Sequence, residues 1–230
     1  MLDTGSPGWQ IGPLLLPASV LTTWGIIAVL TLACVGIGRR LVDTPGLVQT
    51  AVEGILIAME SAIAAVLPDQ ARTVLPFVGT LWTFLAVANL AGLIPGLHSP
   101  TADLSVTAAL AVLVYLSVHW FGIREAGLKD YLRHYVSPNP VLLPFHLLGE
   151  LTRTVALAVR LFGNIMSLEI AALIMLLAAG FLVPVPILML HIIEALVQAY
   201  IFGMLALMYI ASGLHVQQQR EPSQNPTSSE

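Results

Sequence analysis

The chain has 230 residues, 57% of them hydrophobic and 10% charged, with a formal net charge of -4. Soluble domains carry roughly a quarter charged residues, so this composition excludes an ordinary water-soluble globule. Nine basic residues that form no run also exclude a nucleic-acid backbone as partner.

No Asp, Glu, Lys or Arg occurs between Asp3 and Arg39, Arg72 and Asp103, Asp103 and Arg124, Glu169 and Glu194, or Glu194 and Arg220. A bilayer core needs about 20 apolar helical residues to cross it, and each gap supplies them. The fold class is therefore all-α, a polytopic membrane protein in contact with the lipid bilayer. The pattern predicts about five membrane helices, one interfacial helix and a long tilted C-terminal hairpin, all in a single membrane domain over residues 1–230. The N-terminus lacks the basic region and cleavage site of a secretory signal, so the first apolar stretch is expected to stay as a span. The single cysteine, Cys34, has no internal disulfide partner and reads as a packing residue.

The first span covers residues 19–40 and stops at Arg39-Arg40, which marks a cytoplasmic end and puts the N-terminus outside. Residues 47–67 are apolar with a narrow stripe of Gln49, Glu53, Glu60 and Ser61, the pattern of an amphipathic interfacial helix. That polar face holds no Lys or Arg, so partial packing on other spans is an equal reading. A second span over residues 73–95 ends at Leu93-Ile94-Pro95-Gly96, where proline and glycine break the helix. Thr101-Ala102-Asp103 supplies cap-forming residues for a third span over residues 103–123. Arg124, Lys129 and Arg133 follow as the densest basic cluster and mark the cytoplasm again.

After Ser137-Pro138-Asn139-Pro140, a long helix is predicted over residues 141–180. Val183-Pro184-Val185-Pro186 separates it from a last helix over residues 186–215. About 40 helical residues extend roughly 60 Å, twice a perpendicular crossing, so the first of these helices must tilt or bend. The tail, residues 216–230, is polar, is expected to be disordered and lies on the cytoplasmic side. The chain shows no internal repeat of the inverted-topology kind.

Along the long helix Glu150, Arg153, Leu157, Arg160, Asn164 and Ser167 recur at alternating steps of three and four, which makes one face polar. An intramembrane charge costs from a few to more than ten kcal/mol, so Arg160 requires a buried partner or an aqueous cavity. A guanidinium does not escape by losing its proton, which suits a fixed electrostatic barrier. Glu169 lies about 13 Å further along and half a turn around, and a carboxylate within a span reads as a group that loads and releases protons. On the last helix His191, Glu194 and Gln198 form a second stripe on one face. Folded as a hairpin, the helices put Glu169 and His191 at similar depth near the outer end, with Arg160 and Gln198 deeper. Arg153 and Glu150 either snorkel, pair with each other, or line a path. The alternative for Arg160 is a structural ion pair with Glu169 or Glu194. Asn89 in the second span reads as interhelical glue or channel lining. His98, His119, His134 and His215 read as interfacial. His191 and Glu194 lack the further ligands of a zinc site, so no metal, cofactor or catalytic residue is expected.

Arg160-Leu161-Phe162-Gly163-Asn164, followed by Glu169, resembles the signature of subunit a of F-type ATP synthases. Asn89-Leu90-Ala91-Gly92-Leu93-Ile94-Pro95-Gly96, Thr101-Ala102-Asp103-Leu104-Ser105-Val106-Thr107 and Gln198-Ala199-Tyr200-Ile201-Phe202 are also similar to it, in the family's order. The resemblance implies a non-catalytic stator in the bacterial inner membrane, with its C-terminus cytoplasmic. It also implies c-ring subunits, the peripheral-stalk subunit b and other ATP synthase subunits as partners. Two aqueous half-channels would serve the c-ring, with Arg160 between them coupling proton or sodium flow to rotation. Glu169 and His191 match outer half-channel positions, Asn164 and Gln198 match polar positions near the arginine, and Asn89, Asp103, Ser167 and Arg153 are further lining candidates. Histidine at 191 replaces the glutamate of many members, and Glu194 is a carboxyl beyond the usual pattern. The competing class is an autonomous secondary transporter or channel, which predicts repeats or broken helices.

Overall fold

A computed structural model describes residues 9–11, 14–16, 18–39, 46–94, 99–127, 143–179 and 184–218. Two short strands, β1 (Trp9–Ile11) and β2 (Leu14–Leu16), pair antiparallel with Trp9 opposite Leu16. The sequence reading had no place for this hairpin, since three residues are too few for a period-2 pattern to register.

Six helices follow: α1 (Ala18–Gly38), α2 (Leu47–Ala64), α3 (Ala71–Ala91), α4 (Leu104–Ala126), α5 (Leu143–Ala179) and α6 (Pro184–Gln218). A single 3-10 turn, Pro100–Ala102, precedes α4. By length and composition all six helices can cross a membrane. The chain is thus an all-α polytopic membrane protein. Helices α5 and α6 are unbroken over their described lengths, unlike the discontinuous helices of many transporters.

Helix α3 is the most buried of the spans and packs most extensively on α6. One core joins Leu85 and Ala88 of α3 to Val114, Leu161, Phe202 and Ala206 on α4, α5 and α6. A second joins Ile63 beyond Met59 on α2 to Val74, Val78 and Trp82 on α3 and to Leu207 and Ile210 on α6. Lipid tails are as apolar as leucine, so close packing and interhelical hydrogen bonds hold such helices together. Gly203 shows how tightly: a methyl group there would overlap the Trp82 indole. The indole stacks on Tyr200 and its Nε1 donates to Tyr200 O at 3.1 Å. Hydroxyls along the spans bond back to their own helix, as Thr80 does to Pro76 O at 2.6 Å and Thr83 to Gly79 O at 2.8 Å.

Helix α2 touches the bundle only near its C-terminal end, where Ile63 is buried, while Leu47, Val48, Ile55, Leu56 and Ile57 stay exposed. Glu60 pairs with Arg72 at 3.3 Å across the α2–α3 turn. Helix α1 contributes little more than Ile26 to the core.

Helix α3 ends at Ala91 with Gly92 as its cap, earlier than the Pro95-Gly96 breaker suggests. Leu93 and Ile94 turn back through hydrogen bonds to Leu90 O and Ala91 O. The 3-10 turn then folds under the helix end, so Ser99 and Thr101 are buried where the sequence reads as a surface loop. Arg40, Pro95, Gly96, His98, Lys129, Arg133, His134, the 137–140 segment and the tail beyond Gln218 lie outside the described residues.

Candidate functional site

Arg160 stands near the midpoint of α5 and is exposed. Beside it Val155 and Val159 are also exposed, and Met166, Ile170 and Leu173 continue the uncovered apolar surface. Among the described residues Arg160 makes no ion pair and no hydrogen bond. The structural ion pair with Glu169 or Glu194 is therefore not formed. Of the two expectations for Arg160, a buried partner is not found among the described residues. The reason is helix phase: α5 turns Leu157, Ala158, Leu161 and Ile165 into the bundle, which leaves position 160 exposed at the flank of that packed face.

One turn further along, Asn164 Nδ2 donates to Gln198 Oε1 at 2.8 Å and links α5 to α6. Gln198 is buried, and its Nε2 has no hydrogen-bond partner. Seven residues earlier on α6, His191 is likewise buried, with Nε2 unpartnered. The Asn164–Gln198 contact sets the hairpin register. With the helices antiparallel, Glu169 and His191 fall within about two residues, roughly 3 Å, of the same level, and Glu194 falls level with Leu168. Glu194 is half-buried and has no hydrogen-bond or ion-pair partner among the described residues.

Glu169 is half-buried against the end of α3. A methyl group on Gly92 would lie 3.6 Å from Glu169 Oε1 and 3.0 Å from Ser99 Cβ. Glycine at position 92 therefore makes room for Ser99, one member of a chain of buried polar groups, with the Glu169 carboxylate at ordinary contact distance. In that chain Asn89 Nδ2 donates to Ala195 O at 3.2 Å, Thr101 Oγ1 donates to Asn89 Oδ1 at 2.7 Å, and Ser99 Oγ donates to Ala88 O at 3.0 Å. The Ser99 and Thr101 hydroxyls also meet at 2.6 Å. Two hydroxyl protons cannot fill three contacts at once, so donor roles in this chain exchange. Asn89 is thus interhelical glue between α3 and α6.

Asp103 caps α4 by accepting from Ser105 N at 2.9 Å, the role its sequence position suggests. Its other oxygen accepts from Ser19 Oγ at 2.6 Å, which ties the start of α1 to the start of α4. Burial alone would raise the Asp103 carboxyl, but the hydrogen bonds from Ser19 and Ser105 outweigh it and hold the group below its ordinary value. Ser167 is exposed on α5. Arg153 does not pair with Glu150; its guanidinium lies 4.6 Å over the Tyr209 ring. Glu150 instead meets His119 Nε2 at 3.6 Å, so His119 is more than an interfacial residue. Among the described residues no three His, Cys, Asp or Glu side chains cluster as metal ligands.

The polar pattern of α5 and α6 thus consists of an exposed cation without a partner among the described residues, a buried amide pair beside it, and a carboxylate with an imidazole toward one end. Over residues 20–211 the chain matches the family model described as ATP synthase A chain. The chain belongs to the ATP synthase A chain family. Within that family it is similar to "ATP synthase subunit a 2" of Pelobacter propionicus, 58% identical over 99% of this chain and 100% of the relative. It is 61% identical to "ATP synthase subunit a 1" of Hahella chejuensis over 91% of this chain and 89% of that one. It is 56% identical to "ATP synthase subunit a" of Legionella pneumophila strain Paris over 94% and 95%. The polar stripes of α5 and α6 were visible in the sequence of this family member, but Ser19, Ser99, Tyr209 and the His119–Glu150 contact were not. A hydroxyl-rich turn straight after a span containing Asn89 was the one available signal for Ser99.

Proposed function

We propose that the chain is the ion-translocating stator of an F-type ATP synthase, offering two aqueous half-channels to a c-ring and holding Arg160 between them. The observation that carries this reading is the exposed guanidinium, without a partner among the described residues, in the middle of a membrane helix. Placing such a charge at mid-membrane costs roughly 3 kcal/mol or more, and lipid offers nothing in return. A carboxylate on a neighbouring chain does. At about 4 Å and an effective dielectric near 20, two unit charges attract by roughly 4 kcal/mol. The site is therefore stable when a rotor carboxylate stands beside it ionised, and free cations are repelled from crossing at that level.

On the outer side the path runs along Glu169 and His191, with Asn89 and Asp103 near it and Glu194 as an added carboxyl. The unpartnered nitrogens of His191 and Gln198 support a hydrated route, because buried polar groups are ordinarily satisfied by protein or water. Asn164 and Gln198 position the backbone around Arg160, and Ser167 and Arg153 border the surface offered to the ring. The coupling ion is a proton, with sodium the alternative that the ring's own ligands decide. ATP chemistry belongs to other subunits, and subunit b and the remaining membrane-sector subunits are the expected neighbours.

In a bacterial inner membrane the N-terminus lies outside and the C-terminus in the cytoplasm. Helix α2 rests at the cytoplasmic interface, a reading supported by its exposed Glu60–Arg72 pair and its meagre burial. The test is Arg160→Ala in the assembled complex: ATP-driven ion transport is lost while the complex still assembles, and retained pumping would overturn the assignment.

A further inference from the structure

Ten residues before Arg160 on α5, about 15 Å along the axis, Glu150 and His119 form a second acid–imidazole pair. His119 Nε2 stands 3.6 Å from Glu150 Oε2, with both side chains 25% exposed. Helix α4 presents this imidazole deliberately: its Nδ1 contacts Tyr115 O at 3.0 Å, and its ring tilts against the Tyr115 ring at 4.4 Å. The Tyr115 side chain is within electrostatic reach of Glu150. From α5 itself Arg153 faces the same region, and from α6 the Tyr209 ring lies beneath that guanidinium. Helix α4 therefore brings His119 and Tyr115 to Glu150, and Arg153 lies three residues further along α5.

The placement mirrors the outer end. Glu169 follows Arg160 by nine residues and lies within about two residues of the level of His191, whereas Glu150 precedes Arg160 by ten and contacts His119. A carboxylate next to an imidazole is a pair of groups able to pass a cation in short steps. A purely mechanical tie between α4 and α5 needs no such chemistry, since apolar residues already pack those helices. Glu150 Oε2, the oxygen that faces His119, is itself shielded from solvent, while a quarter of each side chain stays exposed.

We infer that Glu150, oriented by His119, is the inner exchange carboxylate, the group through which the translocated cation passes between the level of Arg160 and the cytoplasm. This inference rests on the half-channel reading above. The carboxylate takes up one cation arriving from the rotor and releases one to cytoplasmic water, with no net chemistry.

The test uses the complete ATP synthase in sealed vesicles, with flux scored per assembled complex and followed separately for protons and sodium. Glu150→Gln should lower ATP-driven and passive flux at least about tenfold and flatten their dependence on cytoplasmic pH, and Glu150→Asp should restore flux with a shifted cytoplasmic profile. His119→Gln should shift the same profile and leave the outer one unchanged. A cysteine at position 150, with Cys34→Ala to remove the native thiol, should be blocked by a membrane-impermeant methanethiosulfonate from the cytoplasmic face alone. Wild-type flux per complex with a wild-type cytoplasmic profile in Glu150→Gln, or in Glu150→Asp if the amide variant fails to assemble, would overturn the inference, as would block from the outer face. Arg160→Ala run in parallel separates the two ideas: if it abolishes coupling while Glu150 variants behave as wild type, the half-channel reading stands and the inner carboxylate falls.

Discussion

Asn164 and Gln198 join α5 to α6 by a hydrogen bond of 2.8 Å, one helical turn beyond Arg160. Because Gln198 is buried, this contact fixes both the register of the hairpin and the azimuth of the arginine. Asn164→Leu leaves the Gln198 carbonyl as well as its amide nitrogen without a partner, at a cost of roughly 1–3 kcal/mol. The double variant Asn164→Leu with Gln198→Leu should recover much of that stability but not transport. Thermal unfolding of the detergent-solubilised complex, read beside ATP-driven flux, separates the two effects; a double variant with wild-type flux would remove the pair from the ion path.

Gly203 admits the Trp82 indole against the α6 backbone, and a methyl group has no room there. Gly203→Ala should destabilise the α3–α6 contact by about 1–3 kcal/mol, the usual cost of overpacking. Trp82→Leu in the same chain should relieve part of the strain while giving up the hydrogen bond to Tyr200 O. The measurement is the yield and melting temperature of the assembled complex, and an unaffected Gly203→Ala complex would contradict the close packing.

Asp103 gives the one pH dependence that lies outside the spans. Its folded carboxyl sits below the ordinary value of 3.8, so its contribution is complete above that pH and is lost as acidity passes through the lower folded value. Asp103→Ala should remove an N-cap worth about 0.5–2 kcal/mol and free α1 from the Ser19 tether. Cross-linking between cysteines placed on α1 and α4 should fall in that variant near neutral pH and in the wild type only under strong acid. Equal cross-linking in both at every pH would show that the Ser19–Asp103 contact does not hold α1.

Glu169 and Glu194 differ in what surrounds them, Glu169 abutting Gly92 while Glu194 has no polar partner among the described residues. Glu169→Gln should slow transport and change its dependence on outer pH. Glu194→Gln should do so less, by a factor that measures how far this extra carboxyl shares the load. Flux against outer pH for the two single variants and the double variant decides it; an unchanged Glu169→Gln profile would remove the outer relay.

The spans could be read from sequence because long charge-free gaps are a one-dimensional signal, and Asp103 as a cap because capping is local. The α5 stripe was legible too, since Glu150, Arg153, Arg160 and Asn164 keep helical spacing. Its direction was not. Periodicity says which residues share a face, but only the packing of Leu157, Leu161 and Ile165 on other helices says that Arg160 stands exposed at their flank. Contacts across long separations were invisible for the same reason: Ser19 with Asp103, Thr101 with Asn89, and His119 with Glu150 depend on how helices meet. Ile94 looked like helix because it is apolar, whereas backbone turning after Gly92 ended α3 earlier.

The central claim is that one guanidinium both couples ion flow to the rotor and bars a direct leak. The most direct measurement compares ATP-driven transport and passive ion leak in the same vesicles carrying wild-type or Arg160→Gln complex. The account predicts pumping reduced to background with leak maintained or raised, in complexes that assemble normally. Substantial pumping with a tight membrane in Arg160→Gln would contradict it.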